Sequence, residues 1–406
     1  MKLRKFIFWT HLAVGLAAGL IVFVLSVTGV LLAYERQLTA WADRGFRIAA
    51  PAVQAAPASL REIVQSANRL EPKLAATIVV LKSEVTAPVA VSFGRERTLF
   101  FHPHSGELLG VGASGIRTFF QRTLGLHRWL TLTGARHDTG RAIAGACNLG
   151  FLFLVVSGFY LWWPRSWSPQ ALRAVIFPSS QLRGKARDFN WHNSLGFWSA
   201  PVLLVVVGTG VVISYTWAGN LLYRASGTTP PPARAPEMRP RTPAGPPAAL
   251  QLPATFDSLV EQARQQVAGW RTINLRLPPG KDGALSFTID SGHGGRPDLR
   301  SQLTLAADGK IQQWEPFAST PRGRQLRSWA RFLHTGEAGG IIGQTLAALA
   351  SAAGAVLVWT GFALSWRRFR NRRGGPAGTK TNAVDPRPAG ETNQTAAVIT
   401  PPQRHA

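Results

Sequence analysis

Four uncharged apolar runs, at residues 12–34, 142–163, 193–223 and 338–366, stand out along the chain. Each is at least as long as the roughly 20 residues that a helix needs to cross a bilayer core, so the pattern predicts four transmembrane helices. The segments between the first and second runs and between the third and fourth carry other periods. Residues 58–70 (ASLREIVQSANRL) have helical apolar spacing and are followed by β-rich runs at 76–82, 87–93 and 97–103, with a turn at His104-Ser105-Gly106. Residues 255–268 (TFDSLVEQARQQVA) predict a second such helix, followed by runs at 271–277, 284–290 and 300–306 and a turn at Asp308-Gly309. Each segment reads as a helix laid on a small antiparallel sheet.

The pattern also repeats. Aligned at their leading histidines, the first and third runs match without a gap: His11 with His192, Gly15 with Gly196, Thr28-Gly29-Val30 with Thr209-Gly210-Val211, and Tyr34 with Tyr215. The second and fourth match at Ser157-Gly158-Phe159 with Thr360-Gly361-Phe362 and at Trp163 with Trp366, and the histidines of Leu126-His127 and Leu333-His334 precede them. The chain therefore predicts two copies of one unit: helix, external domain, histidine, helix. The expected fold class is an α-helical membrane protein, a four-helix transmembrane bundle built from two tandem repeats, with two small α+β modules outside the membrane. In chain order this gives a first transmembrane helix (1–41), a first module (42–116), and an outer histidine segment with the second transmembrane helix (117–166). A cytoplasmic loop (167–190) and the third transmembrane helix (191–226) follow, then a Pro-rich linker (227–254) expected to be extended and poorly ordered. The second module (255–318), a second histidine segment with the fourth transmembrane helix (319–370) and a disordered cytoplasmic tail (371–406) complete the chain.

Basic residues set the expected orientation. Lys2, Arg4 and Lys5 precede the first run, Arg165, Arg173, Arg183, Lys185 and Arg187 lie between the second and third, and Arg367, Arg368, Arg370, Arg372 and Arg373 follow the fourth. The positive-inside rule puts these short segments and both termini in the cytoplasm, giving a multi-pass protein of a bacterial inner membrane with two periplasmic domains. The opening MKLRKF resembles a signal-peptide n-region, but the run behind it is long and ends in LLAYERQ without a cleavage pattern, so it reads as a retained anchor.

Composition narrows the chemistry. The chain has 45 Lys plus Arg against 20 Asp plus Glu, a net charge of +25, yet a mean hydropathy of +0.04, so apolar and basic residues are segregated. Because the basic residues cluster beside long apolar runs, a nucleic-acid partner is not expected. Cys147 is the only cysteine, which excludes a disulfide framework, a thiolate-held zinc or iron-sulfur centre and covalent c-type haem attachment. The GVGASG segment at 110–115 follows a strand but opens no βαβ unit, so it is no dinucleotide fingerprint.

Histidine is costly in lipid without a partner, which makes an intramembrane histidine a functional candidate. Two parallel repeats have a pseudo-twofold axis along the membrane normal, which carries His11 onto His192 near the cytoplasmic side and His127 onto His334 near the outside. Two opposed imidazoles in each leaflet suit two b-type haems, each ligated by two histidines. His137, in GARHDTG, has no counterpart in the second half and competes with His127 as outer ligand. The glycines at 15, 19, 29, 196, 208 and 210 would let a flat macrocycle or a second helix approach, and Arg128 and Arg187 would pair with haem propionates. His102, His104 and His293 fall in polar turns and read as solvated, His405 lies in the tail, and Tyr34 and Tyr215 suit an interfacial aromatic belt.

These segments resemble the PepSY-associated transmembrane family, specifically iron-uptake membrane reductases of the FoxB type that act on ferric siderophores. The resemblance rests on the H-x-x-x-G-x(12)-T-G-V segments at His11 and His192, LHRWL at 126–130, LHTG at 333–336, and the span ends SGFYLWWPR and TGFALSWRR. It implies PepSY-like external modules, a dihaem four-helix core and reduction of siderophore-bound iron on the periplasmic side. Hydroxamate siderophores hold ferric iron with hard oxygen donors, so one-electron reduction loosens the metal and releases ferrous iron. Arg117, Arg122, Arg322, Arg324, Arg327 and Arg331, on segments leading into His127 and His334, are candidates for docking the ferric siderophore or lipid headgroups. The cytoplasmic segments are too short for a flavin or nicotinamide domain, which leaves a membrane quinol or a separate cytoplasmic reductase as donor. The competing readings are a non-redox, membrane-anchored binding protein and a quinol-linked cytochrome with another periplasmic acceptor.

Overall fold

The computed structural model describes residues 2–49, 56–164, 167–232 and 250–373. Most of the Pro-rich linker, the tail beyond Arg373 and His405 lie outside the described residues. The first half comprises α1 (Lys2–Leu32), α2 (Glu35–Ala42), α3 (Leu60–Leu70), β1 (Ile78–Lys82), β2 (Val89–Phe93), β3 (Arg97–Phe101), β4 (Leu108–Val111), α4 (Ser114–Trp129) and α5 (His137–Trp162). After a short α6 (Pro169–Ile176) come α7 (Gly184–Ser214), α8 (Thr216–Ala225), α9 (Phe256–Gln265), β5 (Thr272–Arg276), β6 (Leu285–Asp290), β7 (Arg300–Leu305), β8 (Ile311–Pro316), α10 (Arg322–His334) and α11 (Gly340–Arg373).

Four helices are long and apolar enough to cross a membrane: α1, α5, α7 and α11, the second and fourth each extended at the start by a short turn. They pack as a closed ring in which α1 touches α5 and α11, and α7 touches the same two, so α1 and α7 occupy one diagonal. The run expected at 193–223 is not one helix. Tyr215 adopts extended backbone and separates α7 from α8, just as Tyr34 separates α1 from α2. At the other end α7 begins at Gly184, inside what was expected to be loop, because the turns carrying Asp188 and His192 continue the helix.

The two external segments do not stand apart. Their strands form one eight-stranded antiparallel sheet in the order β4-β3-β2-β1-β5-β6-β7-β8, joined in the middle by β1 and β5 with Val80 opposite Asn274. Pairing β1 with β5 removes two open edges, which neither four-stranded half achieves alone. The alternation of Val79 and Leu81, Val91 and Phe93, Leu275 and Ile273, and Phe287 and Ile289 puts one apolar face under α3 and α9 in a single core. Both helices bury the same spacing, Leu60, Ile63, Val64 and Ala67 in one and Phe256, Leu259, Val260 and Ala263 in the other. Their N-termini meet where Asp257 accepts hydrogen bonds from Ser59 Oγ (2.6 Å) and Arg61 N (3.0 Å). The outer strands β4 and β8 were not predicted: LLGV is short and IQQWEP polar, and neither shows the alternation of a half-buried strand.

α4 and α10 connect the sheet to the bundle, and both carry an outer histidine in the last turn. α4 packs on α1 and α5, while α10 packs on α7 and α8.

Candidate functional site

Each of the four repeated histidines sits against a neighbouring helix in the same kind of seat. His11 Nδ1 lies 2.8 Å from Ser157 Oγ, His192 Nδ1 2.9 Å from Thr360 Oγ1, His127 Nδ1 2.8 Å from Thr28 Oγ1, and His334 Nδ1 2.8 Å from the Val206 carbonyl. The three hydroxyls already donate to carbonyls one turn back, Ser157 to Phe153 (2.6 Å), Thr360 to Val356 (2.8 Å) and Thr28 to Val24 (2.6 Å). A hydroxyl has one proton to donate, so it must accept from the imidazole. A carbonyl can only accept. With the hydroxyl protons on those carbonyls, all four seats favour the Nδ1–H form, which leaves Nε2 as the ligating atom of a neutral imidazole.

A glycine completes every seat. A Cβ at Gly158 would stand 3.3 Å from His11 Cε1, at Gly361 3.6 Å from His192 Cε1, at Gly210 3.2 Å from His334 Cε1 and at Gly29 3.9 Å from His127 Cε1. Thr28-Gly29, Ser157-Gly158, Thr209-Gly210 and Thr360-Gly361 are thus four versions of one device in which a hydroxyl residue precedes a gap for the ring. These dipeptides are visible in the sequence as repeats, where Gly29 and Gly210 were expected to admit a macrocycle or a second helix and Gly158 and Gly361 were given no role. Gly15 and Gly196 do face helix neighbours, Leu154 and Leu357, and Gly19 faces Phe362.

The outer pair is close. His127 and His334 have ring centroids 6.3 Å apart at an interplanar angle of 55°. His137 is elsewhere, its ring 4.7 Å from Trp129 and its Nδ1 3.3 Å from Asp138, so the histidine brought to His334 is His127. The inner pair, His11 and His192, are on diagonal helices and within electrostatic range of each other. Seventeen residues of α1 separate His11 from Thr28, the partner of His127, so the two levels are about 25 Å apart at the α-helical rise. Among the described residues no group of three or more His, Cys, Asp and Glu could hold a bare metal ion. The site consists of pairs.

The expected arginines divide. Burial first, and then the guanidiniums of Arg141, Arg95 and Arg331, lower the Arg128 pKa from its ordinary value, marking a basic cluster beside the outer pair. Arg122 lines a cavity of about 610 Å³ with Phe119, Thr123 and Leu126, on the helix that carries His127. Arg331 lies over Phe332, and Arg327 packs beside Gly219 of α8. Arg324 is engaged by Glu315 at 2.7 Å, and Arg322 opens α10. Arg117 is not presented to a ligand: it is nearly buried and forked onto Asp43, which also accepts from Ala113 N at 2.9 Å. Replacing Arg117 by methionine strands the buried Asp43 charge and is expected to destabilise the α2–α4 junction by about 3–5 kcal/mol. The readout is a lowered unfolding midpoint of the purified protein, with ligand affinity unchanged at low temperature.

Arg187, expected to face a propionate, instead pairs with Asp188 through Nε (3.1 Å) and Nη2 (2.9 Å). Asp188 also accepts from Arg367 Nη1 at 2.5 Å and is buried. No sequence signal marked it beyond a lone carboxylate at the end of an apolar run. The His102 imidazole accepts from the backbone of His104 and Ser105 and shapes the β3–β4 turn, while His293 lies beside Arg271 at 3.4 Å. Tyr34 bonds Thr345 at 2.7 Å across the bundle.

The family model for the PepSY-associated TM region matches residues 8–368, nearly the whole described chain. This chain belongs to that family. No curated protein matches it. Within a PepSY-associated TM chain, the matched region runs from just before His11 to just after Thr360 and so encloses all four histidine seats and the sheet between them.

Proposed function

We propose that this chain is an inner-membrane dihaem b-type cytochrome that passes electrons from the cytoplasmic side to the periplasm, where it reduces iron in ferric hydroxamate siderophores and releases it as ferrous iron. The observation that carries this reading is the shared seat: four histidines, two at each level, each with Nδ1 within 2.9 Å of a hydroxyl or carbonyl oxygen of a neighbouring helix, which leaves Nε2 as the atom for a ligand.

The donor set fits the group. Each level presents two imidazoles, the thiolate-free donors that a b-type haem takes, and His127 and His334, with ring centroids 6.3 Å apart, would hold one between them. Bound haem would supply a one-electron carrier, held by two histidines. The protein's own residues do the rest. Ser157, Thr360, Thr28 and Val206 fix each ring's rotation and tautomer through the hydrogen bonds above. The paired glycines let each ring lie flat against the neighbouring helix. Arg128, with Arg141, Arg95 and Arg331 around it, offers positive charge to the carboxylates of a macrocycle or to an anionic ferric chelate. The cavity at Arg122, on the same helix as His127, gives such a chelate a surface near the outer pair. The sheet and α3/α9 core then stand on the periplasmic side, and the two structural halves are copies of one unit.

The direct test is the spectrum of the purified protein before and after dithionite. A sharp Soret shift and a narrow α band, with two haems per chain by pyridine haemochrome, are expected; a colourless protein from haem-replete cells would sink the proposal and leave an anchored binding protein. Mixing reduced protein with ferrioxamine and a ferrous chelator should reoxidise the pigment and colour the chelator, whereas a pigment that stays reduced points to another acceptor.

A further inference from the structure

A cavity of about 300 Å³ opens between α1, α7 and α11, lined by Phe23, Trp191, Trp359, Thr360, Arg187 and Asp188. It adjoins the inner histidine level directly, since Thr360 is the residue that holds His192. Its volume is at the lower end of the range for small-molecule sites, and its make-up, mostly apolar with a few convergent polar groups, is typical of them. The opening is in the transmembrane region: Trp359, on its rim, is 68% exposed on a helix long enough to span the bilayer. At the charged end Asp188 is buried, while Arg187 and Arg367, which bind it, keep 43% and 36% of their side chains exposed. The cavity therefore connects lipid to water past one carboxylate.

The repeat shows that this feature is not part of the scaffold. The alignment that superposes His11 on His192 sets Arg187, Asp188 and Trp191 against Phe6, Ile7 and Thr10, and that of Ser157 on Thr360 sets Ala355, Val356 and Trp359 against Leu152, Phe153 and Val156. Both halves hold their histidines in equivalent seats. At the matching positions the first half has neither a carboxylate nor an indole. A buried carboxylate held by two arginines is costly to keep unless it serves something.

We infer that this cavity binds a membrane quinol, whose aromatic head lies among Trp191, Trp359 and Phe23 with one hydroxyl donating to the Asp188 carboxylate and its tail leaving past Trp359 into lipid. The inference rests on the cytochrome reading, because it names the electron donor for the inner histidine pair. In each turnover the quinol is oxidised to quinone: its two O–H bonds break, two electrons pass singly toward the His192 side, the proton of the hydroxyl on Asp188 leaves by that carboxylate to water at Arg187 and Arg367, and the second proton is released to water as the quinone departs. Two ferric ions are reduced to ferrous for each quinol consumed.

The test uses the full chain in nanodiscs with duroquinone and duroquinol as probes. Duroquinone should quench tryptophan fluorescence saturably, and duroquinol should reduce the pigment at least tenfold faster in the wild type than in Ala355→Phe, which fills the cavity, or Asp188→Asn. Dithionite should reduce all three fully. Ala355→Phe keeps the ion pair intact and so remains informative if Asp188→Asn fails to fold. Equal rates in wild type and Ala355→Phe, absence of saturable quenching, or quenching without reduction of a dithionite-reducible pigment would each overturn the inference while leaving the cytochrome intact. If dithionite reveals no pigment, the cytochrome reading fails and with it the donor role assigned here, whatever duroquinone does.

Discussion

If the chain is the dihaem cytochrome proposed above, replacing His127 by leucine is expected to lower its haem content by about half and to stop ferric-siderophore reduction, because a haem that would be held by two histidines loses most of its hold when one is removed. The partner ring, His334, has its centroid 6.3 Å away. His137→Leu is the internal control. Its ring lies on Trp129 and was the rival outer ligand, so retention of both haems in that variant, alongside the loss in His127→Leu, assigns the ligand unambiguously. Pyridine haemochrome and the reduced α band read the result. The inner pair, about 25 Å away by helix rise, should keep its pigment, and duroquinol should still reduce it. Full haem content in His127→Leu would break the pairing.

The second large effect needs no ligand to be removed. In Gly210→Val the new Cβ would stand 3.0 Å from Asn148 Nδ2 and 3.2 Å from His334 Cε1, with two further methyl groups beyond. The ring must turn or the helices must part, at a cost of about 1–3 kcal/mol for overpacking. A turned ring also loses its bond to the Val206 carbonyl and its alignment with His127. We expect loss or strong perturbation of the outer pigment at a nearly unchanged protein yield. Gly208→Val, two residues earlier on α7, is the control, since a Cβ there meets nothing within 4 Å. Spectra of the reduced variants, compared side by side, decide the matter; wild-type bands in Gly210→Val would mean that the glycine does not shape the seat.

The four spans, the two amphipathic helices and six of the eight strands were legible in the chain because each is governed by a local period: long apolar runs for the spans, 3.6 residues for α3 and α9, two for the inner strands. β4 and β8 were not, because edge strands with one solvated side have no alternation to read. α4 and α10 also escaped, since their basic faces masked the helical period and drew attention as a charge cluster instead. The arginines show the same limit. Arg117 and Arg122 differ by one and a half turns of a single helix, yet one is locked onto Asp43 and the other lines a cavity.

What the sequence by itself determined is the set of parts: four apolar helices long enough to span a membrane, matching sequence segments in the two halves, and four histidines that recur with four serine- or threonine-glycine dipeptides. Local hydrophobicity and internal repetition suffice for that, as neither depends on where the chain folds back. Only the tertiary structure decided that His127 rather than His137 meets His334, that the two external segments close into one sheet through β1 and β5, and that Asp188 ends up buried between two arginines beside Thr360. Each of these is a contact between residues far apart in the chain, set by how helices and strands pack, and no local pattern encodes which distant side chain will stand opposite.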